Sequence, residues 1–254
     1  MESNVHESTA VMRAARAFGA FQIAFNELTT HYLSVVFNPE YQRKGHEEEV
    51  VFPYPRSFTS SEGKTTPFTY LERLDPNRLI FIATFDQSKV FIKFTQQYSK
   101  GAHQHCAAAG IASHLYTVSS LPAGWSMVVM DYLDPTMYRT LEPQDKYSAG
   151  LVEEVERSVR ILHNGGYVHG GVRPVNVMVH REWDSSKEAQ KLQLLDFDWA
   201  GLEGEVEYPL NVDRKHITRH NEVHGGAVIT KGHDLFMVNR LFVEEIYALH
   251  PRYS

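Results

Sequence analysis

Phe18, Phe21, Phe25, Leu28 and Tyr32 recur at alternating spacings of three and four. That spacing stacks them on one face and predicts a helix over 8–37, with Asn38-Pro39 as the stop. Such a stripe is normally the buried face of a core helix, and its heptad is too short to require a coiled coil; a partner-binding helix is the sharper alternative. Residues 41–49 are polar and end in Glu47-Glu48-Glu49, a solvated run, and 52–67 are rich in Pro, Ser and Thr, which predicts loops. The pattern changes from Arg78 onward. Runs at 79–83 and 90–94 read as strands around a turn at Asp86-Gln87-Ser88. A weakly helical stretch follows over 100–112, then a strand at 127–130. A helix is predicted over 144–163, with Val152, Val155, Val159 and Leu162 on one face. Short strands at 177–179 and 192–197 flank a polar loop, and 234–249 reads as a last helix. Strands early and helices late predict two lobes of α+β type.

Composition narrows the class. The chain has 254 residues, enough for one large domain or two small ones. Hydrophobic residues are 43% and charged residues 22%, which excludes wholesale disorder and collagen-like repeats. A formal charge of −6 argues against a nucleic-acid binder. No apolar run approaches the roughly 18 residues that span a bilayer, so no membrane partner is expected. Glu2, His6 and Glu7 precede any apolar stretch, which argues against a secretory signal. The single cysteine, Cys106, sits beside three alanines and reads as a buried thiol; it suits a reducing compartment, cytoplasmic or nuclear.

The chemistry lies in three segments: Val90-Phe91-Ile92-Lys93, then Val168-His169-Gly170-Gly171-Val172-Arg173-Pro174-Val175-Asn176, then Leu195-Asp196-Phe197-Asp198-Trp199. In this order they resemble the protein-kinase fold, with a strand lysine, an H-R-D-L-x-x-x-N loop and a D-F-G. The chain looks most like the expanded kinase-like proteins of mushroom-forming fungi, and its Asp-Phe-Asp-Trp-Ala run is also similar to aminoglycoside and choline kinases. The resemblance implies an α+β, bilobal fold: an N-terminal helical extension (1–67), a strand-rich N-lobe and hinge (68–133) and a helical C-lobe (134–254). The chain stops soon after the last predicted helix, so the expected C-lobe is compact or truncated.

The resemblance also implies roles. Lys93 would hold the nucleotide phosphates, and Asp131 and Leu133 belong to a hinge at 130–133 that would meet an adenine ring. Asn176 and Asp196 would bind magnesium, a hard cation that takes oxygen ligands. The cofactors implied are ATP and Mg2+. Arg173 stands where a cation contacts the transferred phosphate. His169 would be structural, and Asp234 would anchor the catalytic loop unless it is only a helix cap.

Three departures weaken the pattern. Asn176 lies five residues after Gly171, so Gly171 occupies the place of the aspartate that receives the substrate hydroxyl's proton. A positioned base contributes about 10²–10⁴-fold. Asp198 is a weak substitute: at i and i+2 in an extended segment it would share a side with Asp196. The loop covering the phosphates, expected near 83–88, has no glycine, since none occurs between Gly63 and Gly101. The helix after Lys93 offers no acid either, because Asp and Glu are absent from 87–130; Gly101, His103 and His105 occupy the region where one is expected. The favoured reading is a pseudokinase that keeps a nucleotide site and acts through a protein partner. An active phosphotransferase with a non-standard base and a nucleotide-free scaffold stay open. Among 14 histidines, His216, His220 and His224 fall at i, i+4 and i+8, but Arg214, Lys215 and Arg219 beside them would repel a cation, so they read as surface residues.

Overall fold

The computed structural model describes residues 3–36, 53, 55–60, 63–184 and 192–242. It divides into two units, 1–55 and 56–254. The predicted linker at 41–49 lies outside the described residues, as do 243–249 of the predicted last helix; within them that helix runs from Lys231 to Val238 and gives way to turns at 239–242.

The first unit is helix α1, Ser3–Val36, which begins five residues before the predicted start. Thr29 and Thr30 donate to the carbonyls of Phe25 and Asn26 one turn earlier. Phe18, Phe21, Phe25 and Leu28 are exposed, so the stripe is not the buried core face that its spacing suggested.

The second unit opens with a hairpin, β1 (Ser57–Thr59) and β2 (Thr65–Pro67). A five-stranded antiparallel sheet follows, formed by β3 (Thr69–Arg73), β4 (Ile80–Phe85), β5 (Ser88–Thr95), β6 (Leu115–Ser120) and β7 (Ser126–Asp131) in the order β3-β4-β5-β7-β6. Side chains alternate along β5. Val90, Ile92 and Phe94 enter the core with Phe58, Phe68 and Met127, while Phe91 and Lys93 face a cleft. Asp86 and Gln87 join β4 to β5 with φ of +49° and +64°, the left-handed pair that suits a tight hairpin. The pattern of apolar positions did not reveal β3. It lies at the sheet edge, carries a register shift between Tyr70 and Glu72 and buries little, so it has no apolar alternation.

Helix α2 (Lys100–Ala108) packs between the lobes and is capped by Ser99. Cys106 on this helix is fully buried, which pushes its thiol up to about 12. The second lobe holds β8 (Tyr138–Thr140), α3 (Leu151–Asn164), β9 (Tyr167–Val168), β10 (Val177–His180), β11 (Gln193–Leu194), β12 (Gly201–Leu202) and α4 (Lys231–Val238). The predicted helix over 144–163 is two elements, a single 3₁₀ turn at Pro143–Tyr147 and then α3. Gly150, at φ +72°, breaks them apart. Buried Asp145 locks the turn by accepting both guanidinium arms of Arg139 at 2.7 Å. Leu151, Val155, Val159 and Leu162 of α3 are fully buried, each worth about 1.5–3 kcal/mol. Among the described residues no helix is long and apolar enough to cross a membrane.

Candidate functional site

The loop after β9 is built around one buried carboxylate. Asp234 on α4 is fully buried and accepts from the backbone N–H groups of His169 (2.7 Å) and Gly170 (2.8 Å), with His163 Nε2 3.0 Å away. The cap of α4 is Thr230, so Asp234 serves the loop and not the helix end. His169 Nε2 donates to the Leu195 carbonyl at 3.0 Å, and its Nδ1 accepts from Gly171 N–H at 3.2 Å. Burial lowers its pKa, which keeps the ring neutral for both bonds. Asn176 Nδ2 donates to the Gly171 carbonyl at 2.9 Å, leaving its amide oxygen for another partner.

At Gly171 the loop offers a main-chain carbonyl and no acid. The site itself would admit one: a Cβ built there meets Asn176 Nδ2 and His169 Nδ1 at 3.6 Å, ordinary contact. Gly170 differs. Its φ is +71°, and a Cβ would lie 2.7 Å from Ile229 Cδ1.

Lys93 reaches across the cleft to the turn after β11. Its Nζ lies 2.5 Å from Asp196 Oδ1 and 2.8 Å from Asp198 Oδ1. The two acids converge because the segment is a turn, not the extended run the sequence suggested. Asp196 has φ +66°, a strained value for a residue with a Cβ. Thr95 donates to the other Asp198 oxygen at 3.2 Å. Burial by itself lowers the Lys93 pKa, but the two carboxylates outweigh it and raise the pKa above its ordinary value. Burial alone raises Asp196, yet Lys93, with Arg173 beside it, holds it below its usual value. Burial and the Asp196 charge raise Asp198, with only partial relief from Lys93. The Asp198 oxygen nearest Lys93 is buried and within ion-pair range, but it has no well-aligned hydrogen bond. Asp198 thus faces Lys93 and supplies a counter-ion that α2 lacks. Two carboxylates share one lysine, and with the Asn176 amide on the wall of the same cleft they are oxygen donors of the kind a hard cation such as magnesium takes.

These side chains line a cleft of about 1080 Å³ whose walls include Phe91, Leu133, Gly171, Arg173, Asn176 and Trp199. Asp131 and Leu133 both line it; the Asp131 carboxylate accepts from Tyr116 Oη at 2.6 Å, which turns it toward β6. The loop over the cleft is 74–79, between β3 and β4, and not 83–88 as expected. Residues 86–87 are only the hairpin turn of β4 and β5. The error follows from the unrecognised β3. Loop 74–79 has no glycine, and its turn is held by Asp75, which accepts from Asn77 N–H at 2.7 Å. Arg78, in this loop, lines the cleft. Arg173 is half-buried, its Nε is without a hydrogen-bond partner, and burial lowers its pKa.

Sequence reasoning missed two further residues. His103 on α2 stacks on Phe197 (4.7 Å between ring centroids, 8° between planes) and so braces the turn that carries Asp196. Arg219 figures in the sequence only as a charge beside the histidines that would repel a cation. It is buried over the rings of Trp199 and Tyr208, and it donates to the carbonyls of Asp213 (3.0 Å) and Gly170 (3.4 Å). Aromatic neighbours far along the chain decide that placement, and no local pattern signals it.

No protein-family model and no curated protein matches the chain. Solved structures do. The granulovirus kinase PK-1 of Cydia pomonella superposes with a TM-score of 0.50 at 14% identity, covering 74% of this chain and 71% of that one. Vaccinia related kinase 3 (TM-score 0.48, 17% identity, 77% and 68% covered) and the BubR1 kinase domain (0.49, 13%, 87% and 73%) are also similar. The likeness to PK-1 shows the fold: the second unit is a two-lobed, protein-kinase-like α+β structure.

Proposed function

We propose that this chain is a kinase-fold protein that binds ATP with magnesium, has lost most or all phosphoryl transfer, and works through a protein partner. One observation carries the reading. Lys93, Asn176, Asp196 and Asp198 converge on one cleft, while position 171, on the wall of the same cleft, offers no carboxylate. Lys93 is placed to hold phosphate oxygens once its pair with the two acids opens. Asp196, Asp198 and the Asn176 amide would hold the metal. Bound magnesium would neutralise phosphate charge in such a site. Arg173 and Arg78 add positive charge at the same end of the cleft. Nothing at 171 can orient a hydroxyl or receive its proton.

A second reading, an active phosphotransferase with a non-standard base, is favoured by the Lys93–Asp198 pair, which supplies the lysine's counter-ion from a new position.

Thermal unfolding with and without ATP, in magnesium and in chelator, tests the nucleotide site without a known substrate. Ligand at 100 times its dissociation constant adds about 2.7 kcal/mol. In a domain of this size that is worth roughly 5–10 °C. A magnesium-dependent rise is expected, and no shift at millimolar ATP overturns both readings and leaves a scaffold.

A further inference from the structure

Residues 211–230 form turns and loops and not the helix that would bring His216, His220 and His224 together. His216 Nδ1 lies 3.2 Å from Asp213, and His224 Nδ1 lies 3.0 Å from the Gly225 carbonyl. His220 instead meets Glu222 and His233, the latter from the first turn of α4. One ligand atom from each lies within 4.8 Å of the other two. Glu222 Oε2 is 3.6 Å from His220 Nδ1 and 3.7 Å from His233 Nε2. Tetrahedral zinc, with bonds of about 2.0–2.1 Å, sets its ligand atoms about 3.4 Å apart. Two edges of that figure are therefore nearly in place.

The second observation is independent of the spacing. His233 is only 4% exposed in its side chain, and its Nε2 is buried without a hydrogen-bond partner. A buried ring nitrogen left unpaired is costly, and here it points to an exposed carboxylate and a second imidazole.

We propose that His220, Glu222 and His233 form a three-ligand zinc site, with its fourth position open to water, that ties the loop at 220–222 to α4. The set is two imidazoles and one carboxylate, which suits zinc better than magnesium or calcium. Ligation through His220 Nδ1 displaces only the long 3.4 Å contact that this nitrogen accepts from Glu222 N–H. Arg219, adjacent in sequence, spends its guanidinium on two carbonyls and on the rings of Trp199 and Tyr208. Ligation through Nε2 places the His233 ring proton on Nδ1, which gives up a long 3.4 Å contact with Thr230 N–H. The site shares no residue with the nucleotide cleft and does not rest on the proposed function.

The test is zinc competition against a chromophoric chelator, on the full chain without an affinity tag and stripped of metal. One equivalent bound at micromolar affinity or tighter is expected. Glu222→Gln alters a carboxylate that is 72% exposed, so the metal-free variant should melt like the wild type. Its zinc affinity should fall at least tenfold, a loss that even the groups supporting a zinc ligand can produce. His220→Asn should do the same. Absence of stoichiometric binding at about 100 μM zinc overturns the proposal, 100 μM being well above the range of a built site. Wild-type affinity in both variants overturns it too, because the ion would then sit elsewhere among the 14 histidines.

Discussion

Gly171→Asp should restore phosphoryl transfer if the missing base is what disables this site. A Cβ at 171 meets nothing closer than 3.6 Å, and the position does not require a left-handed φ. The new carboxylate would enter a cleft that already contains Lys93 and Arg173, with Asp196 opposing it. We therefore expect a stability change under about 1 kcal/mol, a melting shift of less than roughly 4 °C. The expected gain in turnover is about 10²–10⁴-fold, the contribution of a positioned base. It corresponds to lowering the barrier by about 2.7–5.5 kcal/mol. The assay is ATP consumption under single-turnover conditions, with Asp196→Asn in the same background as the blank. A variant that melts normally and binds magnesium-ATP, yet turns over no faster than wild type, would refute the reasoning. Rapid wild-type turnover would refute it from the other side.

Gly170→Ala, one residue away, should behave oppositely. It places a Cβ at φ +71° and 2.7 Å from Ile229 Cδ1, so a loss of about 2–4 kcal/mol is expected in urea unfolding. His103 gives a pH dependence. Burial pushes its pKa down to about 4, outweighing the contact of its Nε2 with the Ser113 carbonyl (2.8 Å), which favours the charged ring; Tyr98 Oη lies 2.7 Å from Nδ1. A folded pKa below the unfolded value of about 6.5 means stability is full above pH 6.5 and is lost as pH falls toward 4. That loss is worth about 2.4 kcal/mol between pH 7 and pH 4.5, read from urea midpoints. His103→Gln should lower stability at pH 7 and flatten the slope; an unchanged slope would remove His103 as its source.

Much of the cleft is legible in local pattern because its parts are local. The period-two alternation of β5 sends Val90, Ile92 and Phe94 into the core and leaves Lys93 on the other face. Set against the kinase catalytic loop that the segment resembles, the five-residue interval from Gly171 to Asn176 marks 171 as the place where an acid is expected. The period of 3.6 in α3 similarly foretells Val155, Val159 and Leu162, although the positive φ of Gly150 divides the helix that pattern alone would extend. Edge strand β3, which buries little, has no such period. Missing it misplaced the loop that covers the cleft.

By their order and spacing, Lys93, the loop at 169–176 and Asp196 resemble the protein-kinase series, and that resemblance marks Gly171 as the position where an acid is expected. Helices and strands repeat within a few residues, so local pattern suffices for that. Only the tertiary structure decides what pairs with what. Lys93 finds its counter-ions 103 residues or more along the chain, in a turn whose left-handed φ at Asp196 swings Asp198 onto the lysine. Arg219 is buried because Trp199 and Tyr208 stack beside it, and His220 leaves the histidines that share its spacing for Glu222 and His233. Those pairings depend on where backbone turns bring distant segments together, and no periodicity along the chain encodes that distance.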